Sequence, residues 1–276
     1  MKKLLLTINI LLCFLLLVNP SITAGEENQN ILTIEELSIK VMPEFAYHPN
    51  DVNKEHPPLL IGYQGTMRNL SEQPQKGQIE LPLPMEDKNF RIGYVADYSS
   101  DLSKVFEIEY IIDQEKGTIS WTTSEEIQPN GVYKFVVEFY TDTIMVDKER
   151  KTLSCQFKSF ADIGLINISF IQPLKAKKVV LTPAPEEKKT HAAEEGVYSY
   201  FFQGVKAGEE KRFTLTYERN EKRPTIEMMD KQEQQPIDPV KTKKSSATLS
   251  IAAISGVGLL AAGAFTYLFK RKRRNN

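Results

Sequence analysis

Cysteine is almost missing from this sequence. Only Cys13 and Cys155 occur, and Cys13 falls within an apolar run at the N-terminus, so one thiol is left for the body of the chain. One thiol closes no intrachain disulfide. A disulfide-stapled domain is therefore excluded, and hydrophobic cores must carry the stability. Histidine is scarce as well. His48 and His56 share a polar loop (48–58) with Asp51 and Glu55, and His191 lies among Lys188, Lys189 and Glu194. None has the spacing of a metal-ligand set, so all three read as solvated loop residues. G-x-S-x-G, Cys–His, C-x-x-C-H and phosphate-cradling glycine motifs are absent, which removes the common sequence signatures of acyl-transfer, haem and nucleotide chemistry. The longest unbroken run of cations, Lys270–Arg274, lies near the C-terminus. Setting those five aside, with Lys2 and Lys3, turns the formal charge of −1 into −8 for the remainder. An acidic body argues against nucleic acid, whose phosphates need clustered Lys and Arg.

The strongest positive signal is at the C-terminus. Residues 247–269 read ATLSIAAISGVGLLAAGAFTYLF without a charge. As a helix this run would be roughly 35 Å long at 1.5 Å per residue, enough for a hydrocarbon core of about 30 Å. Lys270, Arg271, Lys272, Arg273 and Arg274 follow at once, and such a cluster marks the cytoplasmic side. Within the run, Ala252 and Gly256, then Gly258 and Ala262, are small residues four apart, the spacing that lets membrane helices pack closely. At the other end, Lys2 and Lys3 precede the apolar stretch Leu4–Val18, Asn19-Pro20 breaks it, and Ser21–Ala24 offers small residues for cleavage. That is the layout of a secretory signal over 1–24. The expectation is a single-pass type I cell-membrane protein with an extracellular N-terminal body and a cytoplasmic tail, 270–276.

Between these ends, β-type runs recur with turn signals every 8–12 residues or so, the rhythm of an all-β sandwich. Leu37–Val41 alternates. In 132–140, Tyr133, Phe135, Val137 and Phe139 form an apolar stripe, so that face points to a core. Pro82 and Pro84 suit an edge strand near Gln78–Leu83. Trp121, the only tryptophan, reads as core, and Cys155, in phase with Leu153 and Phe157, as a buried structural thiol. The stretch 97–101 (DYSSD) reads as a turn capped by its own hydroxyls and carboxylates rather than a calcium or sugar site. The charged run 147–151 (DKERK) marks a boundary. A turn-plus-strand pattern at 127–140 recurs at 205–217. The expected organisation is two tandem antiparallel, immunoglobulin-like β-sandwiches, 31–148 and 151–220, then a flexible stalk, 221–246, rich in charge, Gln and Pro.

The leader, paired sandwiches, proline-bearing stalk, single span and basic tail resemble bacterial, Gram-positive-type membrane-anchored surface proteins with immunoglobulin-like or transthyretin-like modules. The tail is similar to a sortase sorting signal but lacks the LPxTG motif; Pro236-Ile237-Asp238-Pro239 is no substitute. A retained membrane anchor is expected. The function expected is non-catalytic, with no cofactor or metal: binding or presenting to a protein partner in the envelope. The alternatives are an accessory subunit of a membrane enzyme or transport complex, and a carbohydrate-binding or adhesin module. Tyr198, Tyr200 and Phe202, on one face of an aromatic run, are either core or a partner-binding patch.

Overall fold

The computed structural model describes residues 31–51, 54–189 and 196–233. The expected leader, span, basic tail and helix-pairing residues (Ala252, Gly256, Gly258, Ala262, Lys270–Arg274) lie outside them, as does His191. Among the described residues no helix is long and apolar enough to cross a membrane.

The described residues are all-β apart from one short helix. Its fifteen described strands are β1 (Leu32–Pro43), β2 (Leu59–Asn69), β3 (Gln78–Pro82), β4 (Arg91–Tyr98), β5 (Val105–Glu107), β6 (Ile111–Asp113), β7 (Thr118–Thr122), β8 (Val132–Thr141), β9 (Met145–Asp147), β10 (Arg150–Lys158), β11 (Ile163–Ile171), β12 (Lys177–Thr182), β13 (Glu187–Lys189), β14 (Val197–Val205) and β15 (Glu210–Glu218). The helix α1 spans Thr225–Glu233. The strands form an eight-stranded sheet, β13-β14-β11-β1-β2-β8-β4-β5, and two smaller sheets, β12-β15-β10-β9 and β3-β7-β6.

The two units expected on either side of 147–151 share the large sheet. β1 pairs antiparallel with β2 on one side and parallel with β11 on the other, with Leu37 opposite Ile166, Ile39 opposite Ile168 and Val41 opposite Phe170. The charged run is no linker. It is the turn of the β9–β10 hairpin, in which Asp147 pairs with Arg150 and Lys148 takes a left-handed φ of 55°. An exposed tight turn and a domain linker have the same polar composition, because both stay in water.

Period-two alternation explains the layering. Leu37, Ile39, Val41, Phe135, Val137, Phe139, Ile166, Ile168 and Phe170 fill one face of the large sheet and join a single core with residues of both small sheets. Rings interlock across the layers: Trp121 of β7 with Phe135 at 5.4 Å, Tyr63 of β2 with Phe157 of β10 at 6.5 Å, and Phe213 of β15 with Tyr200 of β14 at 4.7 Å. Pro82 lies on β3, an edge strand, as its missing N–H requires.

The opposite face carries a second cluster, Met42, Phe45, Ala46, Leu60, Tyr140, Ile171 and Val197, covered in part by Ile226 and Met229 of α1. Residues 221–233, expected as stalk, are thus docked on the body. Thr225 and Ile226 donate their backbone N–H groups to the carbonyls of Glu44 and Phe45. Beneath them, Glu44 is fully buried at a φ of 50°. Its carboxylate accepts from Lys151 Nζ (2.7 Å), Arg219 Nη1 (2.7 Å) and Tyr217 Oη (2.6 Å). Arg219 spends its remaining donors on the carbonyls of Leu174, Glu221 and Arg223, which holds the chain on its way from β15 into α1.

Candidate functional site

The two small sheets lie side by side on the large one and leave a cleft of about 620 Å³. Its floor is the inner face of the large sheet: Ile39, Leu59, Ile61, Tyr63 and Ile168. One wall is the 82–87 segment at the end of β3, and the other is β10 with the turn beyond it, through Phe157 and Phe160. Alternation places the floor residues here, since each is in phase with the core stripe of its strand. The cleft is of small-molecule size, and apolar lining with a few polar groups is the usual make-up of a ligand pocket.

The polar groups converge. Cys155 lines the cleft, half-buried and unpaired. Its phase with Leu153 and Phe157 is as expected, but it borders a cavity instead of filling a packed core. Burial, with the neighbouring Asp87 charge, pushes its thiol up to about 12, so it stays protonated and weakly nucleophilic. Burial likewise raises the Tyr63 phenol, helped by Cys155 and Asp87. Asp87 is itself raised, by burial first and by Glu86 second. Among the described residues, neither the Tyr63 hydroxyl nor the Asp87 carboxylate has a hydrogen-bond or salt-bridge partner.

The expected site residues lie elsewhere. Tyr198 and Tyr200 are buried, and Phe202 packs partly buried against the same core. Tyr198 Oη donates to Gln172 (3.0 Å) and Tyr200 Oη to the carbonyl of Pro183 (2.6 Å). The three share a face, as the alternation predicts, and it looks inward; Phe201 is the exposed aromatic of that run. A partner-binding patch at Tyr198, Tyr200 and Phe202 is thereby corrected to core. Trp121 is core, as expected. Its Nε1 donates to Tyr133 Oη (2.7 Å), which donates to the buried Asp97 (3.1 Å).

His48 departs from expectation: it is buried rather than solvated. Its Nδ1 accepts from Asn50 N (3.1 Å), so Nε2 carries the proton and donates to the Ile92 carbonyl (3.1 Å), and Tyr140 packs edge-on at 5.2 Å. Burial lowers its pKa. With both ring nitrogens committed to the backbone, this histidine organises its loop. The His56 ring lies 3.2 Å from the carbonyl of Pro57. Of the 97–101 stretch, Asp97 and Tyr98 belong to β4, and the self-capped turn begins at Ser99: Asp101 accepts from the Ser99 and Ser103 hydroxyls (both 2.7 Å), which hold its carboxyl down at about 2. No cluster of His, Cys, Asp and Glu suited to a metal occurs among the described residues.

The cleft had no signal in the sequence beyond the alternation of its lining. It is assembled from β1, β2, β10, β11, β15 and the 82–87 segment, and no short stretch contains it.

No protein family matches the sequence, and neither does any curated protein. Two solved structures share some of the shape. One, from Parabacteroides distasonis, is described as a candidate protease. It has a TM-score of 0.35 and 6% identity over 69% of this chain and 41% of its own length. The other, from Legionella pneumophila, is described as a candidate nutrient-binding protein. It has a TM-score of 0.42 and 10% identity over 67% of each chain. This chain thus spans about two fifths of the first, and scores this low carry no argument.

Proposed function

We propose that this chain is a non-catalytic, membrane-anchored ectodomain that binds a component of the bacterial envelope through the cleft between its two small sheets. In this reading 1–24 is a signal, 247–269 a spanning helix with the 270–276 tail inside, and the layered body a fused pair of immunoglobulin-like sandwiches held outside the membrane. The observation that carries it is the cleft itself: about 620 Å³, with a mostly apolar floor and an unpartnered phenol and carboxylate among its lining groups. Its chemistry suits holding better than reacting. The thiol is kept protonated, and the buried histidine, its nitrogens both engaged, stands among Ile92, Asn50 and Tyr140 rather than in the cleft.

The experiment is purification of the tagged full chain from its native membrane in mild detergent, with mass spectrometry of what accompanies it, alongside protease treatment of intact cells. A bound envelope component that is lost on blocking the cleft is expected, with a C-terminal tag spared by protease. A stoichiometric membrane partner retained by a cleft-blocked variant would favour the accessory-subunit alternative. Loss of the C-terminal tag would overturn the orientation.

A further inference from the structure

We propose that the cleft takes a small amphiphilic cation, a protonated amine carried on an aliphatic or aryl body. This rests on the reading of the cleft as a binding site and adds the class of occupant. The floor and walls set the body of the ligand. Ile39, Leu59, Ile61 and Ile168 favour an apolar body, since hydroxyls set against them would lose water without replacement; the neutral polar side chains of the lining are Thr143, Ser154, Gln156 and Ser159. The polar groups set the head. Asp87 is half-buried beside the cavity, and its carboxylate has no cation or donor among the described residues. Glu86, the next residue, adds a second negative charge at the same wall. The cation lining the cleft is Lys158, an exposed residue at the end of β10, and it forms no ion pair with either carboxylate.

An anionic head would meet Asp87 and Glu86 and be repelled. A neutral head would leave Asp87 desolvated and unpaired. An ammonium supplies the missing partner, because its N–H groups can donate to the carboxylate in a charge-assisted hydrogen bond and to the Tyr63 oxygen, which accepts from no described residue. The rings of Tyr63, Phe157, Phe160 and Phe213 line the same space, and aromatic rings attract a cation over their faces. Carboxylate, phenol and aromatic walls therefore converge on one ligand chemistry.

The test uses the full chain in zwitterionic lipid nanodiscs, titrated calorimetrically with 4-phenylbutylamine, 4-phenylbutanol and 4-phenylbutyrate, and corrected with empty nanodiscs. The amine is expected to bind at least tenfold more tightly than the alcohol or the acid. Asp87→Asn should erase that preference and leave the alcohol unchanged. Tyr63→Phe, which removes one oxygen and no packing, should weaken the amine several-fold if the Asp87 variant fails to fold. Equal binding of amine and alcohol, or tighter binding of the acid, overturns the cationic class while leaving the cleft as a binding site. Binding of none of the three overturns both.

Discussion

Glu44→Gln should be among the most damaging single changes in this protein. The Glu44 carboxylate is the counter-charge of Lys151 and Arg219, each 2.7 Å away, and all three side chains are buried. Two cations to one anion already leaves the cluster short of negative charge, with the Tyr217 hydroxyl as an extra donor. Glutamine keeps the shape but strands both cations out of water. Breaking a buried pair in this way costs about 3–5 kcal/mol, and at roughly 2–4 °C per kcal/mol for a domain of this size the melting temperature should fall by about 6–20 °C. Lys151→Met is the informative contrast, because it leaves the neutral Glu44–Arg219 pair and should cost much less. Arg219→Met should fall between, since it strands the carbonyls of Leu174, Glu221 and Arg223. It should also release α1, read as faster amide exchange over 225–233. Circular dichroism melting of the purified full chain measures all three. A Glu44→Gln protein melting within about 2 °C of the parent, or a Lys151→Met protein melting below it, would refute the reasoning.

Other consequences are as specific. A Cβ on Gly65 would run into the ring of Phe135, so Gly65→Ala should cost about 1–3 kcal/mol, seen in denaturant midpoints, and Phe135→Leu should relieve part of it in the double variant. Burial raises Glu138 to about 8 against a nearby Lys40 charge. The stability it contributes is therefore complete below its ordinary 4.5 and is lost as pH climbs to about 8. Within that window the parent should lose up to about 1.4 kcal/mol per pH unit relative to Glu138→Gln; a pH-independent difference would count against it. His48, whose pKa is lowered by burial, acts in the opposite sense. Its contribution is present above about 6.5 and is lost on acidification, so the stability gap between the parent and His48→Ala should narrow at low pH.

The strands were largely legible and their partners were not. Alternation told that Tyr133, Phe135, Val137 and Phe139 share a face, and the same period placed Leu153, Cys155 and Phe157 together, because side-chain direction along a strand is local. Which strand lies beside which is not local. The β1–β11 ladder joins Ile39 to Ile168, and nothing in either strand names the other. The same distance hid the anchor of α1: Arg219 reads as one more surface charge in a polar stretch until Glu44 is brought to it from the far end of the chain. A clue was present in Glu44 itself, a lone charge between Met42 and Phe45-Ala46. Tyr198 and Tyr200 show a different limit, since an aromatic face looks the same in sequence whether a second sheet or a partner covers it. The cleft was illegible for both reasons, being a gap between layers lined by strands that each look like ordinary core.

The central claim, that this gap is an open binding site and not a loosely packed core, is tested most directly by Cys155→Phe. The added ring points into a cleft of about 620 Å³, so the account predicts a protein that melts within about 2 °C of the parent, loses the envelope component that purifies with it, and no longer binds small amphiphiles. In a close-packed core the same enlargement would cost about 1–3 kcal/mol. A Cys155→Phe protein that is strongly destabilised, or that is stable and binds as the parent does, would contradict the claim.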